Sequence, residues 1–362
     1  MTLMNRCWSS WLLTLFTVAG LGCGAPNTTS GRDAGERVAD AGPVDVGAVD
    51  AGADAGSPCT LAPPASERVQ VNNAFGPLVG TLVVPPSCGP VPVVLLVSGT
   101  GTQDRDGNDG PGSPYQPATQ KRLAEVLLDA GIASLRYDDH GAAESFNGAP
   151  PRVEDFSFDL EVADAARWIA LLRQDTRFST VSGAGHSQGS LTLLVAHQTA
   201  PLDGFVSLAG TSLRAGRLLM QQATGNLDAT SMAQLSQAVA ELEGGALPGP
   251  LPAPLDNVLP VELQPYLRSY FKFDPVVELG RVGVPVLIAH GSTDRTVPVA
   301  QASQLQAARP TAKLVIVQNM AHTLKRATAS AADQQAARSN PNLPIARELA
   351  DALAAFVHEL RR

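Results

Sequence analysis

Three residues carry the chemistry available to this sequence. Ser187 lies in Gly185-His186-Ser187-Gln188-Gly189, Asp294 in Gly291-Ser292-Thr293-Asp294, and His322 in Asn319-Met320-Ala321-His322. A serine hydroxyl is a weak nucleophile until a base takes its proton. An imidazole suits that task near neutral pH, and a carboxylate can fix the imidazole's tautomer and stabilise its charged form. Taken singly, each has an ordinary alternative: a surface turn serine, a turn or N-cap aspartate, a packed histidine. Taken together, each follows an apolar stretch that reads as a strand, and they run Ser, Asp, His along the chain. That order and placement suit nucleophilic acyl transfer. The remaining histidines fit a base less well. His140 and His186 flank glycine turns, His197 and His358 fall on helical patterns, and His290 ends the strand before the acid.

The elements that must position these residues alternate between strand and helix. Arg68–Asn72 and Val79–Val84 read as a β-hairpin pair. Val93–Val97 is a continuous apolar run ending in Ser98-Gly99, the pattern of a buried parallel strand. Thr119–Ala130 has helical spacing and stops at Gly131. Ile132–Tyr137 reads as a strand, and Asp159–Leu172 as an amphipathic helix with Leu160, Ala163, Ala166, Ile169 and Leu172 on one side. Val181–Ala184 predicts a strand into Gly185, Leu191–Gln198 a helix, and Phe205–Ala209 a strand. After residues 212–280 the alternation resumes with Val286–His290, helix Ala300–Ala308, strand Lys313–Val317 and a last helix Arg347–Leu360. The intervening segment carries two helical stretches, a Gly/Pro-rich piece (Gly244–Pro254) and Tyr266–Asp274, so it reads as an insertion in an α/β sheet.

The first sixty residues have another character. Arg6 precedes a short apolar stretch, Trp8–Leu21, and small residues follow, which is a secretory signal pattern. Gly20-Leu21-Gly22-Cys23 resembles the lipobox of bacterial lipoproteins, in which the cysteine thiol is acylated; Gly20 departs from the usual leucine, so ordinary signal cleavage stays open. Residues 24–58 contain five Asp-x-Gly units and no aromatic residue, so nothing offsets the entropy of ordering them and they read as a solvated tether. The expected organisation is a signal over 1–22, a tether over 23–58 and one folded domain over 59–362. The formal charge of −8 divides accordingly. Six acids and two bases in the tether give −4, Arg6 gives +1, and the remainder from Cys59 carries −5. No basic face is available for nucleic acid. The absence of any internal run of 18 apolar residues excludes a multi-pass membrane protein.

Further motifs carry a resemblance. Ser98-Gly99-Thr100-Gly101-Thr102-Gln103-Asp104-Arg105-Asp106-Gly107 and Arg136-Tyr137-Asp138-Asp139-His140-Gly141-Ala142-Ala143-Glu144-Ser145, with the Gly-x-Ser-x-Gly turn and the segments around Pro265–Phe271 and Phe273–Pro275, resemble α/β-hydrolases of the bacterial serine esterase and serine aminopeptidase-like group. The likeness covers roughly residues 66–360, with His140 standing for an arginine and Ala143 for a glycine of that group's pattern. It implies an α/β-hydrolase fold: a mostly parallel eight-stranded sheet, helices on both faces, and a helical cap inserted at about 212–280. It also implies roles. Ser187 is the nucleophile, His322 the base and Asp294 its orienting acid. The backbone N–H groups of Gln188 and Thr100 form the oxyanion hole, with Gly101 allowing close approach.

Leu218, Leu219, Met220, Leu267, Tyr270 and Phe271 in the cap either line an acyl pocket or, for most of them, simply pack the cap. Asp104 and Arg105 read as a loop-fixing ion pair. Cys59 and Cys88 flank the hairpin region and, in an exported protein, could form a disulfide. The expected function is an exported serine hydrolase of carboxylic esters with a small acyl-ester substrate, no cofactor and no metal. It would be a cell-envelope lipoprotein, membrane-anchored if Cys23 is acylated, or else secreted. Peptide, thioester and lactone substrates fit the same triad, and a non-catalytic surface-binding lipoprotein is the reading from another class.

Overall fold

The computed structural model describes residues 63–360, all within one compact unit. The signal, Cys23, the tether and Cys59 lie outside the described residues. Eight strands form one sheet in the order β1-β2-β4-β3-β5-β6-β7-β8: β1 (Ala65–Asn72), β2 (Pro77–Val84), β3 (Val91–Val97), β4 (Ala133–Tyr137), β5 (Phe178–His186), β6 (Gly204–Leu208), β7 (Val286–Gly291) and β8 (Lys313–Val317). β1 pairs antiparallel with β2, and β2 with β4; every other pairing is parallel. The antiparallel edge follows from its tight turn, where Asn73 Oδ1 accepts the Phe75 and Gly76 N–H groups at 2.8 and 3.0 Å.

The parallel strands are apolar throughout because both faces are covered. Along β3, Val93, Leu95 and Val97 enter one core cluster and Val94 and Leu96 the other, the period-2 alternation of a strand buried on both sides. On the first face lie helices α2 (Phe158–Gln174), α3 (Gln188–Ala196) and α8 (Ala300–Ala308). Phe158, Ala165, Trp168, Ile169 and Leu172 present the helical stripe of α2 to the sheet. On the second face lie α1 (Thr119–Asp129) and α10 (Arg347–Glu359), through Leu123, Leu127, Leu349, Leu353 and Phe356. Each such side chain, fully buried, contributes about 1.5–3 kcal/mol relative to exposure.

The insertion between β6 and β7 forms four helices: α4 (Ala215–Ala223), α5 (Ala229–Glu243), α6 (Gln264–Phe271) and α7 (Pro275–Gly280). Asp228 caps α5 through the Ser231 N–H at 2.8 Å, and Asp274 caps α7 at Val276 and Val277 with Pro275 in the first turn. The cap joins the first core cluster, Tyr270 stacking on Phe158 at 4.8 Å. Helix α9 (Ala331–Ser339), capped by Ser330, has no counterpart among the sequence expectations. Its buried side is only Gln334 and Ala337, too sparse a stripe to read as a periodic apolar face.

Two local expectations need comment. Asp104 and Arg105 do not pair with each other. Arg105 forks onto Asp138 at 2.6 and 3.0 Å and reaches Glu144 at 2.7 Å, while Asp104 accepts the Asp106 and Asn108 N–H groups at 2.9 Å. Both residues fix the loop, but through other partners, because adjacent side chains on this turn diverge. Cys88 is disulfide-bonded.

Candidate active site

Ser187 stands between the end of β5 and the start of α3 with φ 54° and ψ −119°, a backbone conformation that non-glycine residues rarely adopt and that surrounding structure must impose. The imposition is visible at two glycines. A Cβ on Gly185 would lie 2.2 Å from Gly189 O, and one on Gly189 would lie 2.3 Å from Ser98 O, so the turn closes only without side chains there. The Ser187 N–H is tied to Leu208 O of β6 at 2.8 Å. Gln188 opens α3, which leaves its N–H without an intrahelical acceptor and free to act as a donor.

Asp294 follows β7 and is buried. Its Oδ1 accepts the Thr296 and Val297 N–H groups at 2.8 and 2.9 Å, and its Oδ2 accepts His322 Nδ1 at 2.7 Å, with His290 Nε2 at 3.4 Å. Burial pushes this carboxyl up. The adjoining His322 and the interaction with His290 outweigh burial and hold it well below the usual carboxylate range. Asp294 is therefore an anion and accepts the Nδ1–H of His322. The residue preceding the serine helps to place this ring. His186 Nε2 donates to His322 O at 2.8 Å, and the two rings pack at 4.9 Å. Burial, with His322 alongside, lowers His186 to about 3, so it stays neutral beside His322.

The loop after β3 closes the other side. A Cβ on Gly99 would touch Ser187 Cβ at 3.2 Å, and Gly101 adopts φ +108°. Thr100 and Gly101 are thereby brought to the neighbourhood of the serine. Asp139 secures this loop, accepting Ser98 Oγ at 3.1 Å and the Gln103 N–H at 2.9 Å; burial raises its carboxyl to about 8.

A polar group that sequence reading missed lies next to Gln188. Its side chain donates through Nε2 to Glu161 Oε2 at 2.7 Å and to Tyr266 OH at 2.9 Å, and Tyr266 OH donates to Glu161 Oε1 at 2.9 Å. Burial raises Glu161 to about 7. Glu161 and Tyr266 line a pocket with Gly101, Thr102, Asp139 and Phe156.

A second pocket is lined by Ser187 and walled by Leu191, Leu194, Phe205, Thr211, Leu279 and Leu305 among others. Leu218, Leu219, Met220, Tyr270 and Phe271 line neither cavity. Leu219, Leu267, Tyr270 and Phe271 are core residues of the cap, Leu218 is buried, and Met220 packs against the same cluster, so the packing alternative is the one this geometry favours. Among the described residues no group of His, Cys, Asp or Glu is arranged to hold a metal ion.

No family model matches the chain. Among curated proteins, esterase EstD of Thermotoga maritima is 30% identical over 132 residues, which is 36% of this chain and 30% of that protein. The chain thus matches less than a third of that relative's length. Among solved structures, Est1E from Butyrivibrio proteoclasticus with bound ferulic acid superposes with a TM-score of 0.52 over 81% of this chain and 98% of that one, at 16% identity. The structure described as Est1E alone gives 0.51 at 14% identity over the same shares. The strand order, the mostly parallel sheet and this likeness define the fold: the chain has the α/β-hydrolase fold.

Proposed function

We propose that this chain is a serine hydrolase that cleaves small carboxylic esters through an acyl-enzyme. The observation that carries the reading is the Asp294–His322 hydrogen bond of 2.7 Å, tied to a strained serine turn through His186, the residue before Ser187, which donates to the carbonyl of His322. In the first half-reaction His322 Nε2 takes the Ser187 hydroxyl proton as Oγ adds to the acyl carbonyl. The oxyanion is met by the Gln188 N–H and by an N–H of the Thr100–Gly101 loop. Collapse returns the proton to the leaving alcohol and leaves Ser187 acylated. Water then repeats the sequence, deprotonated by the same imidazole, and releases the acid. Asp294 stays ionised throughout, which its depressed pKa favours.

The partial likeness to an esterase supports esters over amides, and the apolar wall beside Ser187 supports a short or medium acyl chain. The test is hydrolysis of p-nitrophenyl acetate and butyrate by the full chain and by Ser187→Ala, with aminoacyl amides, thioesters and lactones assayed in parallel. We expect ester turnover that Ser187→Ala abolishes without loss of the folded state. Turnover retained in that variant overturns the reading, and preference for another acyl class relocates it.

We also propose export and acylation of Cys23, on the strength of the N-terminal pattern, and Cys59 as the disulfide partner of Cys88. Metabolic labelling with palmitate, compared between the natural chain and Cys23→Ser, checks the anchor. Absence of label in both assigns ordinary secretion instead.

A further inference from the structure

Gln188 enters the proposed reaction through its backbone, yet its side chain is the better restrained part. That side chain is buried, with 5% of its surface exposed. Its amide nitrogen has two hydrogens, and both are used: one on Glu161 Oε2, the other on the Tyr266 oxygen. Tyr266 spends its single hydrogen on Glu161 Oε1. The donors and acceptors close into a ring of three side chains in which the carboxylate only accepts, the amide nitrogen only donates, and the phenol does each once. With Glu161 ionised, reversing the Gln188 amide would set its oxygen against the carboxylate, which fixes the orientation of the ring in that state.

The three members come from distant parts of the chain. Glu161 is on α2, 27 residues before Gln188, and Tyr266 is on cap helix α6, 78 residues after it. Gln188 is also the first residue of α3, one peptide bond from Ser187. A hold on its side chain is therefore a hold on the Ser187–Gln188 peptide, whose N–H must aim at the developing oxyanion.

We infer that Glu161 and Tyr266 are positioning residues, which fix the aim of the Gln188 N–H and make the seating of the cap a condition for a working oxyanion hole. The inference rests on the ester-hydrolase reading above. It goes beyond that reading by giving the cap a part in the chemical step as well as in enclosing substrate. Glu161 and Tyr266 also face the cavity shared with Gly101 and Thr102, so an acyl group placed there would press on the residues that aim the donor. Loss of an oxyanion donor typically costs 10²–10³ in rate; misaiming one should cost less, roughly 10–10².

The experiment compares wild type with Tyr266→Phe, Glu161→Leu and Glu161→Gln on p-nitrophenyl butyrate. The readouts are kcat, KM, melting temperature, and inhibition by a trifluoromethyl ketone, whose tetrahedral adduct places an oxyanion in the hole. We expect kcat to fall about tenfold in Tyr266→Phe and about 10–10² in Glu161→Leu, with KM within about threefold and ketone affinity falling in step with kcat. Glu161→Gln keeps an acceptor for the Gln188 amide and should recover most of the rate. A purely structural role predicts lower melting temperature without this parallel loss, and without rescue by glutamine. Unchanged kcat in both Tyr266→Phe and Glu161→Leu, or a fall in kcat that leaves ketone affinity intact, overturns the inference. Because Tyr266→Phe removes one oxygen atom, it keeps the test decisive if Glu161→Leu fails to fold. The two readings fail differently. A wild-type chain with no ester turnover and no fluorophosphonate label on Ser187 sinks the hydrolase reading and this inference with it. An active wild type with indifferent variants sinks this inference alone.

Discussion

Around Ser187 the backbone is held by contact, whereas around His322 it is held by charge and hydrogen bonds. On the serine side, Gly185 and Gly189 sit where a Cβ would overlap main-chain atoms, and Gly99 lies against Ser187 itself. On the histidine side, Asp294 grips the ring, His186 grips the carbonyl, and the buried ammonium of Lys325 ties the same loop to the carbonyls of Pro117 and Asn340. A glycine squeeze exists there too, Gly291 under Met320 O, but it sets the spacing of the loops and leaves the ring's direction to hydrogen bonds. A nucleophile needs one fixed place and gains from hard walls. A base must gain and lose a charge twice per turnover and gains from partners that respond to charge.

Substitutions on the two sides should therefore fail in different ways. The largest effect belongs to Asp294→Asn, which keeps an acceptor for the Thr296 and Val297 N–H groups but favours the wrong imidazole tautomer. We expect kcat to fall about 10³–10⁴ with the folded state kept at neutral pH. A loss under tenfold would mean that another group orients His322.

Next comes Gly189→Ala on the contact side. Its Cβ would meet Ser98 O and Val97 O, both main-chain atoms, so the elbow must shift; a displacement near 1 Å costs on the order of 10² in rate, and overpacking costs about 1–3 kcal/mol of stability. Both activity and thermal midpoint should drop, and a drop in only one would blur the contrast between the two sides.

A smaller effect is read from pH. Asp139 holds its proton in the folded chain up to about 8, whereas an unfolded chain releases it near 4. The stability this group contributes is present below the unfolded value and is lost as pH rises through about 8. Melting curves of Asp139→Asn between pH 5 and 9 should accordingly decline less steeply than those of wild type, and parallel declines would exclude Asp139 as the source. Asp294 has the opposite sign. Its folded pKa is depressed, so its contribution is present above the ordinary carboxylate range and is lost as pH falls below it. The smallest effect is expected at Arg68→Ala. The Arg68–Glu144 pair is half exposed, and its loss should leave activity intact and the melting temperature within about a degree.

Much of the site could be read from residue order. Ser187, Asp294 and His322 each follow an apolar strand, and strand ends are where a parallel sheet presents side chains, so local pattern places all three after strands β5, β7 and β8. The strands were legible for the same reason, since two-sided burial writes continuous apolar runs such as Val93–Val97. Where the reading failed, the controlling partner was remote or the signal was polar. Glu161 and Tyr266 meet across 105 residues, and neither breaks the pattern of its own helix. Adjacency, all that a sequence displays, pairs Arg105 with Asp104, whereas its partner in the fold, Asp138, is 33 residues on, just past β4. Helix α9 was passed over because its buried side is a glutamine and an alanine.

The placement of His322 beyond β8 has a consequence for how the chain comes into being. During synthesis the serine turn after β5 is made long before His322, which follows β8. Ser187 and His322 share one end of the sheet only once β8, the last strand in sequence and an edge strand, docks on β7. On the proposed reaction the chain is chemically silent until that event, so measured turnover would report that the C-terminal edge has folded.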